Sequence, residues 1–186
     1  MPASSVGPSA RLGDPIPTFS GLLFYPLDPR VEDIRAIDIA TALSHTCRWV
    51  GQLEQHYSVA QHAVLVSLAC DPADALWGLL HDAHEAYVND LTRAVKWLPG
   101  LEPYRAVCDT VQRVICDRYG LAHEQPRSVT QADDDLCATE ARDLVRVPGW
   151  LPKSGHLLPQ RITPIPAAEA CARFMDRFVT LTKGRL

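Results

Sequence analysis

The sequence predicts an all-α protein, a helical bundle folded as a single domain. Three observations carry that expectation. Beyond Leu27 apolar residues recur at helical spacing. Strand-like alternation is scarce along the chain. The run Ala75-Leu76-Trp77-Gly78-Leu79-Leu80 contains no polar break, and a helix that is apolar on every side is buried on every side. With 186 residues, 47% of them apolar, the chain is long enough to enclose one core of ordinary size.

Residues 1–18 are rich in Pro, Ser and Gly and are expected to lie loosely on the surface, which leaves 19–184 as the domain. A short extended piece is expected over Gly21 to Leu27. Asp38 is placed to cap a short helix running through Leu43. Ser58 caps the next helix, with Val59, His62, Val66 and Ala69 on its apolar face and Asp71-Pro72 as its stop. Asp71 then caps the central helix, with Pro72 in the first turn, and that helix carries His81, Asp82 and Glu85 into the interior. Glu102 to Tyr119 shows a stripe of Val107, Val111, Val114 and Ile115 and ends at Gly120. Ser128 to Leu144 is helical on Val129, Ala132, Leu136 and Leu144. Residues 148–166 hold five Pro and two Gly and read as a long loop. Ala167, Ala170, Cys171, Phe174, Phe178 and Leu181 define a last amphipathic helix.

Composition excludes several classes. The net charge is −4 and the basic residues are scattered, which argues against binding polymeric nucleic acid, since that needs a concentrated basic face. No apolar run reaches spanning length and no export signal is legible, so a cytoplasmic protein is expected. The six Cys form no Cys-x-x-Cys pair and read as reduced, buried thiols.

The chemistry concentrates in His62, His81-Asp82 and the triple Asp133-Asp134-Asp135. Burying a His-Asp doublet costs several kcal/mol unless its charge is compensated, and a divalent cation compensates it directly. Within the triple, helical geometry selects Asp133, which falls about 40° from Val129 and about 60° from Leu136. Asp134 and Asp135 fall roughly 100° or more from both and are expected to face solvent. Two imidazoles and two carboxylates suit zinc, iron, manganese or cobalt, and magnesium belongs on the same list of divalent ions to test. Glu85 lies one turn beyond His81, placed for proton transfer. His84 points off this face and reads as structural. No phosphate-binding Gly-rich loop, nucleophile elbow or dinucleotide fingerprint is present.

The pattern His62 … His81-Asp82 … Asp133 resembles the HD-domain superfamily of metal-dependent phosphohydrolases. The resemblance extends to Asp38-Ile39-Ala40, Cys47-Arg48-Trp49-x-Gly51, Tyr57 to His62, His81 to Ala86, Asn89-Asp90-Leu91 with Val95-Lys96, and Ala138-Thr139-Glu140. It spans roughly residues 20–180. The branch it looks like holds YfbR-like bacterial 5′-deoxynucleotidases and small phage enzymes that hydrolyse deoxynucleoside triphosphates, dATP among them.

The resemblance implies an HD-domain bundle in which His62, His81, Asp82 and Asp133 hold the metal. Glu85 and Asp90 would handle the water or leaving group, Arg48 and Lys96 would contact phosphate, and Trp49 would lie near the base or sugar. It also implies a homo-oligomer. Gln52 departs from the pattern, since related chains often carry His after the Gly. The implied activity is hydrolysis of dATP to deoxynucleoside and tripolyphosphate, with hydrolysis of deoxynucleoside monophosphates as the alternative. Two other classes compete: a di-iron oxygenase, which needs further His ligands, and a non-enzymatic HD-fold binder, which commonly loses ligands that this chain keeps.

Overall fold

The computed structural model describes residues 11–183. The expectations for 1–10 and for the boundary at 184 lie outside the described residues. A two-residue hairpin, β1 (Ile16–Pro17) with antiparallel β2 (Leu23–Phe24), precedes an otherwise helical chain. The helices are α1 (Ala36–His45), α2 (Val59–Ala69), α3 (Ala75–Leu80), α4 (Glu85–Val88), α5 (Arg93–Lys96), α6 (Glu102–Tyr119), α7 (Arg127–Leu144) and α8 (Ala167–Thr182). The fold is therefore all-α in one domain, as expected. Among the described residues no helix is long and apolar enough to cross a membrane.

All six residues of α3 are buried, and this short helix packs on α2, α8 and α7. Gly78 sets how closely: a Cβ there would meet Cys70 Sγ at 2.9 Å and Ser67 Cα at 3.1 Å. Only a bare backbone allows α3 to sit this near α2, and that approach brings His81 beside His62. One core cluster joins Ile39, Leu43, Leu79, Leu80, Phe174 and Phe178 across α1, α3 and α8. A second, around Val66, Trp77, Val129 and Leu136, seats α7 against α2.

Several expectations need correction. Residues 11–18 are not loose: Arg11 pairs with Asp28 and Asp33, and β1 is paired. Asp38 does not cap α1, which begins two residues earlier. Its buried carboxylate instead accepts the Ser20 N–H at 2.6 Å and the Ser20 hydroxyl at 2.8 Å, clamping the hairpin to α1. Ser58 caps α2 through the Gln61 N–H at 3.1 Å as expected, but Ala69 is exposed. Asp71 makes no side-chain cap, and Pro72–Asp74 is a separate 3₁₀ turn. Of the free cysteines, Cys70, Cys108 and Cys116 are buried, Cys137 and Cys171 are half-buried, and Cys47 is exposed.

The central helix also stops short of the doublet. Just after Leu80, N–H groups reach back three residues rather than four, Ala83 to Leu80, Glu85 to Asp82, Ala86 to Ala83 and Tyr87 to His84, before Val88 and Asn89 resume four-residue bonds. Three residues per turn stacks side chains at i and i+3. Asp82 and Glu85 therefore come to one side of the backbone.

Candidate metal centre

His62 projects from α2, His81 and Asp82 from the tight turn after α3, and Asp133 from α7. Ligand atoms of His62, His81 and Asp82 all lie within 4.8 Å of one another. Asp133 Oδ1 is 3.0 Å from His62 Nε2 and 4.0 Å from His81 Nε2. Asp82 Oδ2 is 3.0 Å from His81 Nε2. The two imidazole rings lie 5.2 Å apart, and both histidines are buried.

The ring orientations suit a group that could hold a metal ion. His81 Nδ1 donates to the Gly78 carbonyl at 2.8 Å. His62 Nδ1 donates to Glu140 Oε1 at 2.6 Å. Each imidazole thus commits Nδ1 to a protein acceptor and turns Nε2 toward the centre, where a proton or a metal ion can occupy it. Both Nε2 atoms are buried with no hydrogen-bond partner, although carboxylate oxygens stand 3.0 Å away. Two buried, unpartnered nitrogens facing two carboxylates fit a divalent cation.

Electrostatics agree. Burial works against charge on His81, yet Asp82 and Asp133 pull it up to about 9. A proton is the cation this cluster gathers when no larger one competes. Burial opposes ionisation of Asp82 as well, but His81 and His62 hold its carboxyl well below the usual range.

Glu140 is the residue that sequence reasoning quoted without giving it a role. It is fully buried, and its two oxygens accept four hydrogen bonds. Oε1 takes His62 Nδ1 and the Tyr57 hydroxyl at 2.9 Å. Oε2 takes Arg48 Nε at 2.9 Å and Trp49 Nε1 at 3.0 Å. Despite burial, Arg48 and His62 keep its carboxyl down at about 2. A signal was available: Glu140 lies seven residues after Asp133, about 20° away around α7 and on the same inward face.

The Glu140 network also holds a wound-back turn in place. Trp49 and Val50 adopt left-handed backbone, φ 55° and 54°, followed by Gly51 at 71°. That conformation costs roughly 1–2 kcal/mol for each non-Gly residue. The Trp49 indole bond to Glu140 and the Arg48 N–H bond to the Tyr57 carbonyl at 2.9 Å fasten the turn at both edges.

Two adjoining clefts lie beside the cluster, the smaller of them walled by two of its carboxylates. The smaller, about 280 Å³, is lined by Asp82, Asp133, Arg48, Glu85, Asp90 and Lys96, among others. The larger, about 660 Å³, shares Arg48, Glu85 and Asp90 and adds Trp49 and Asn89. The clefts thus gather Arg48, Trp49, Glu85, Asp90 and Lys96 beside Asp82 and Asp133, with His62 and His81 buried behind those two carboxylates. Arg48 reaches within 4.0 Å of Asp82 as well as binding Glu140. Lys96 Nζ is 2.7 Å from Asp90 Oδ1. Burial, with Asp82 and Asp90 nearby, pushes the Glu85 carboxyl up to about 9. Trp49 lines the larger cleft and meets Trp150 edge-on at 5.8 Å. Asn89, at φ 60° and ψ 177°, gives the chain a sharp bend just before Asp90.

His84 turns away toward Gln112, as expected of a structural residue. The expectation for Asp134 and Asp135 is overturned. Asp134 accepts Ser154 Oγ at 3.0 Å, and Asp135 accepts the His156 N–H at 2.7 Å. Gly155 presses so close to the Asp134 carbonyl that a Cβ would lie 2.0 Å from it. Both carboxylates therefore fasten the long loop to α7 instead of facing open solvent.

No protein-family model matches the chain. It is 39% identical over 174 residues to the uncharacterized protein YfdR of Escherichia coli strain K12, covering 91% of this chain and 97% of that one. It is 34% identical over 131 residues to the uncharacterized protein RCAP_rcc00048 of Rhodobacter capsulatus, covering 63% of this chain and 66% of that relative. The near-complete overlap with the first shows that the chain belongs to the family of YfdR.

Proposed function

We propose that this protein is a metal-dependent phosphohydrolase of the HD-domain kind that acts on deoxynucleotides in the cytoplasm, with dATP as preferred substrate and deoxynucleoside and tripolyphosphate as products. The observation that carries the reading is the convergence of two buried, unpartnered Nε2 atoms with Asp82 and Asp133 at the wall of a cleft that also presents Arg48 and Lys96. His62, His81, Asp82 and Asp133 would hold one divalent ion. When bound, such an ion supplies Lewis acidity toward a phosphoryl oxygen and makes a nearby water more acidic.

The chain's own groups do the rest. Arg48, fixed by Glu140, keeps a planar cation beside the cluster to offset charge developing on phosphoryl oxygens. Lys96 adds a second positive charge from the rim. Glu85, whose raised pKa leaves it protonated at neutral pH, is placed to hand a proton to the departing 5′ oxygen. Asp90, tied to Lys96, borders both clefts and orients what enters. The larger cleft, bounded by Trp49, is roomy enough for a base and sugar. Assembly into a homo-oligomer belongs to the same proposal.

The test is a screen of deoxynucleoside mono- and triphosphates with cobalt, manganese, zinc and magnesium in turn, read by phosphorus NMR and chromatography. Release of tripolyphosphate and deoxyadenosine from dATP, abolished in Asp82→Ala, is the expected outcome. Free phosphate released only from monophosphates would replace the triphosphate reading with the monophosphate one. No turnover with any of these metals would end the phosphohydrolase reading.

A further inference from the structure

We propose that Arg93 selects substrates by the length of their phosphate chain, gripping the outer phosphates of a deoxynucleoside triphosphate. The proposal rests on the phosphohydrolase reading above and adds to it a residue that the ligand pattern does not include.

Arg48 and Arg93 are the two cations that line both clefts. Arg48 is already committed, bonded to Glu140 and close to Asp82. Lys96, the third cation of the smaller cleft, is committed to Asp90 at 2.7 Å. Arg93 opens the one-turn helix α5, is exposed, and has no hydrogen bond or ion pair among the described residues. Its five N–H donors are thus the site's uncommitted cationic donors.

The charge balance explains why they matter. The smaller cleft carries four carboxylates, Asp82, Asp90, Asp133 and Asp134, beside the protonated Glu85, against three cations. A divalent ion at the cluster offsets the inner ones, so a single phosphate can be met by that ion with Arg48. A chain of three phosphates extends further and brings more negative charge, with Arg48 and Lys96 each already holding a carboxylate. Arg93 stands where the clefts join, free to meet the outer phosphates with a planar fork that binds two oxygens at once.

The experiment compares metal-loaded full-length wild type with Arg93→Ala and Arg93→Lys. Steady-state kinetics on dATP and dAMP are paired with calorimetric binding of inorganic tripolyphosphate and inorganic phosphate. In Arg93→Ala the ratio of kcat/KM for triphosphate to that for monophosphate is expected to fall about tenfold or more, mainly through KM, as loss of charged hydrogen bonds implies. Tripolyphosphate binding should weaken by a similar factor and phosphate binding by much less, with Arg93→Lys recovering part of the loss. Equal effects on both chain lengths, or unchanged tripolyphosphate affinity, would overturn the proposal while wild-type turnover left the phosphohydrolase reading standing. A wild type that neither turns over nucleotide nor binds tripolyphosphate removes both.

Discussion

The two walls of the site are built differently. The inner wall, on α2, α3 and α7, is rigid by excess: His62 and His81 are buried, each Nδ1 is held, and Glu140 ties His62 to Arg48, Trp49 and Tyr57. The outer wall, residues 89–97, is one bent residue and a single turn of helix near the surface, held by the Asp90–Lys96 pair and by Tyr104 and Arg105 of α6, which donate to the Asn89 and Lys96 carbonyls. Buried, fixed side chains on one side and a rim near the surface on the other are what the proposed centre, with a resident cation and an exchanging substrate, would need. The difference teaches that a change in the inner wall should affect metal, fold and activity together, whereas a change in the outer wall should affect substrate alone.

The largest expected effect is at the ligands. His81→Ala should remove stoichiometric metal, measured by elemental analysis, and take hydrolysis to background. Next comes Glu140. Glu140→Ala leaves Arg48 and His62 facing an empty buried position and should destabilise the protein by about 3–5 kcal/mol in denaturant unfolding. Glu140→Gln, which keeps the shape, should cost roughly 10–100-fold in metal affinity. Because the folded carboxyl is depressed to about 2 from an ordinary 4.5, its stabilisation is present above the ordinary value and lost as pH falls toward 2. Glu140→Gln should flatten that acid limb of the stability curve.

His81 works with the opposite sign. Its raised value stabilises the metal-free protein below an ordinary 6.5, and that contribution fades as pH climbs through about 9. The proton and the metal compete for the same nitrogen, so metal affinity should strengthen across that window. Thermal unfolding with and without cobalt at several pH values checks both halves. Gly78→Ala should then cost about 1–3 kcal/mol by forcing α3 away from α2, and should weaken metal binding because His81 moves with α3. The smallest structural effect belongs to the rim. Lys96→Ala should cost less than about 1 kcal/mol, as expected for a partly exposed pair, while raising KM for nucleotide. If Lys96→Ala instead released the metal, the contrast between the walls would fail.

Much of the fold was legible because period and caps spoke together. Glu102–Tyr119 ends at Gly120 in left-handed conformation, and Ser58 caps α2. The convergence of His62, His81, Asp82 and Asp133 was legible because a doublet in an apolar run and one inward-facing Asp of three are costly to place otherwise. What escaped was settled by tertiary contacts. The tightening after Leu80 has no composition signal. Asp38 reads as a cap until the hairpin supplies Ser20, and Asp134 and Asp135 read as solvated until the distant Ser154-Gly155-His156 loop folds over them. Glu140 looks like one more helix carboxylate until four donors from α2 and the preceding loop converge on it.

The most direct test of the central claim is an anomalous difference map from crystals soaked with manganese or cobalt. The account predicts one strong peak within bonding distance of His62 Nε2, His81 Nε2, Asp82 and Asp133, absent in crystals of His81→Ala. No peak there, or binding only at surface carboxylates, would contradict it.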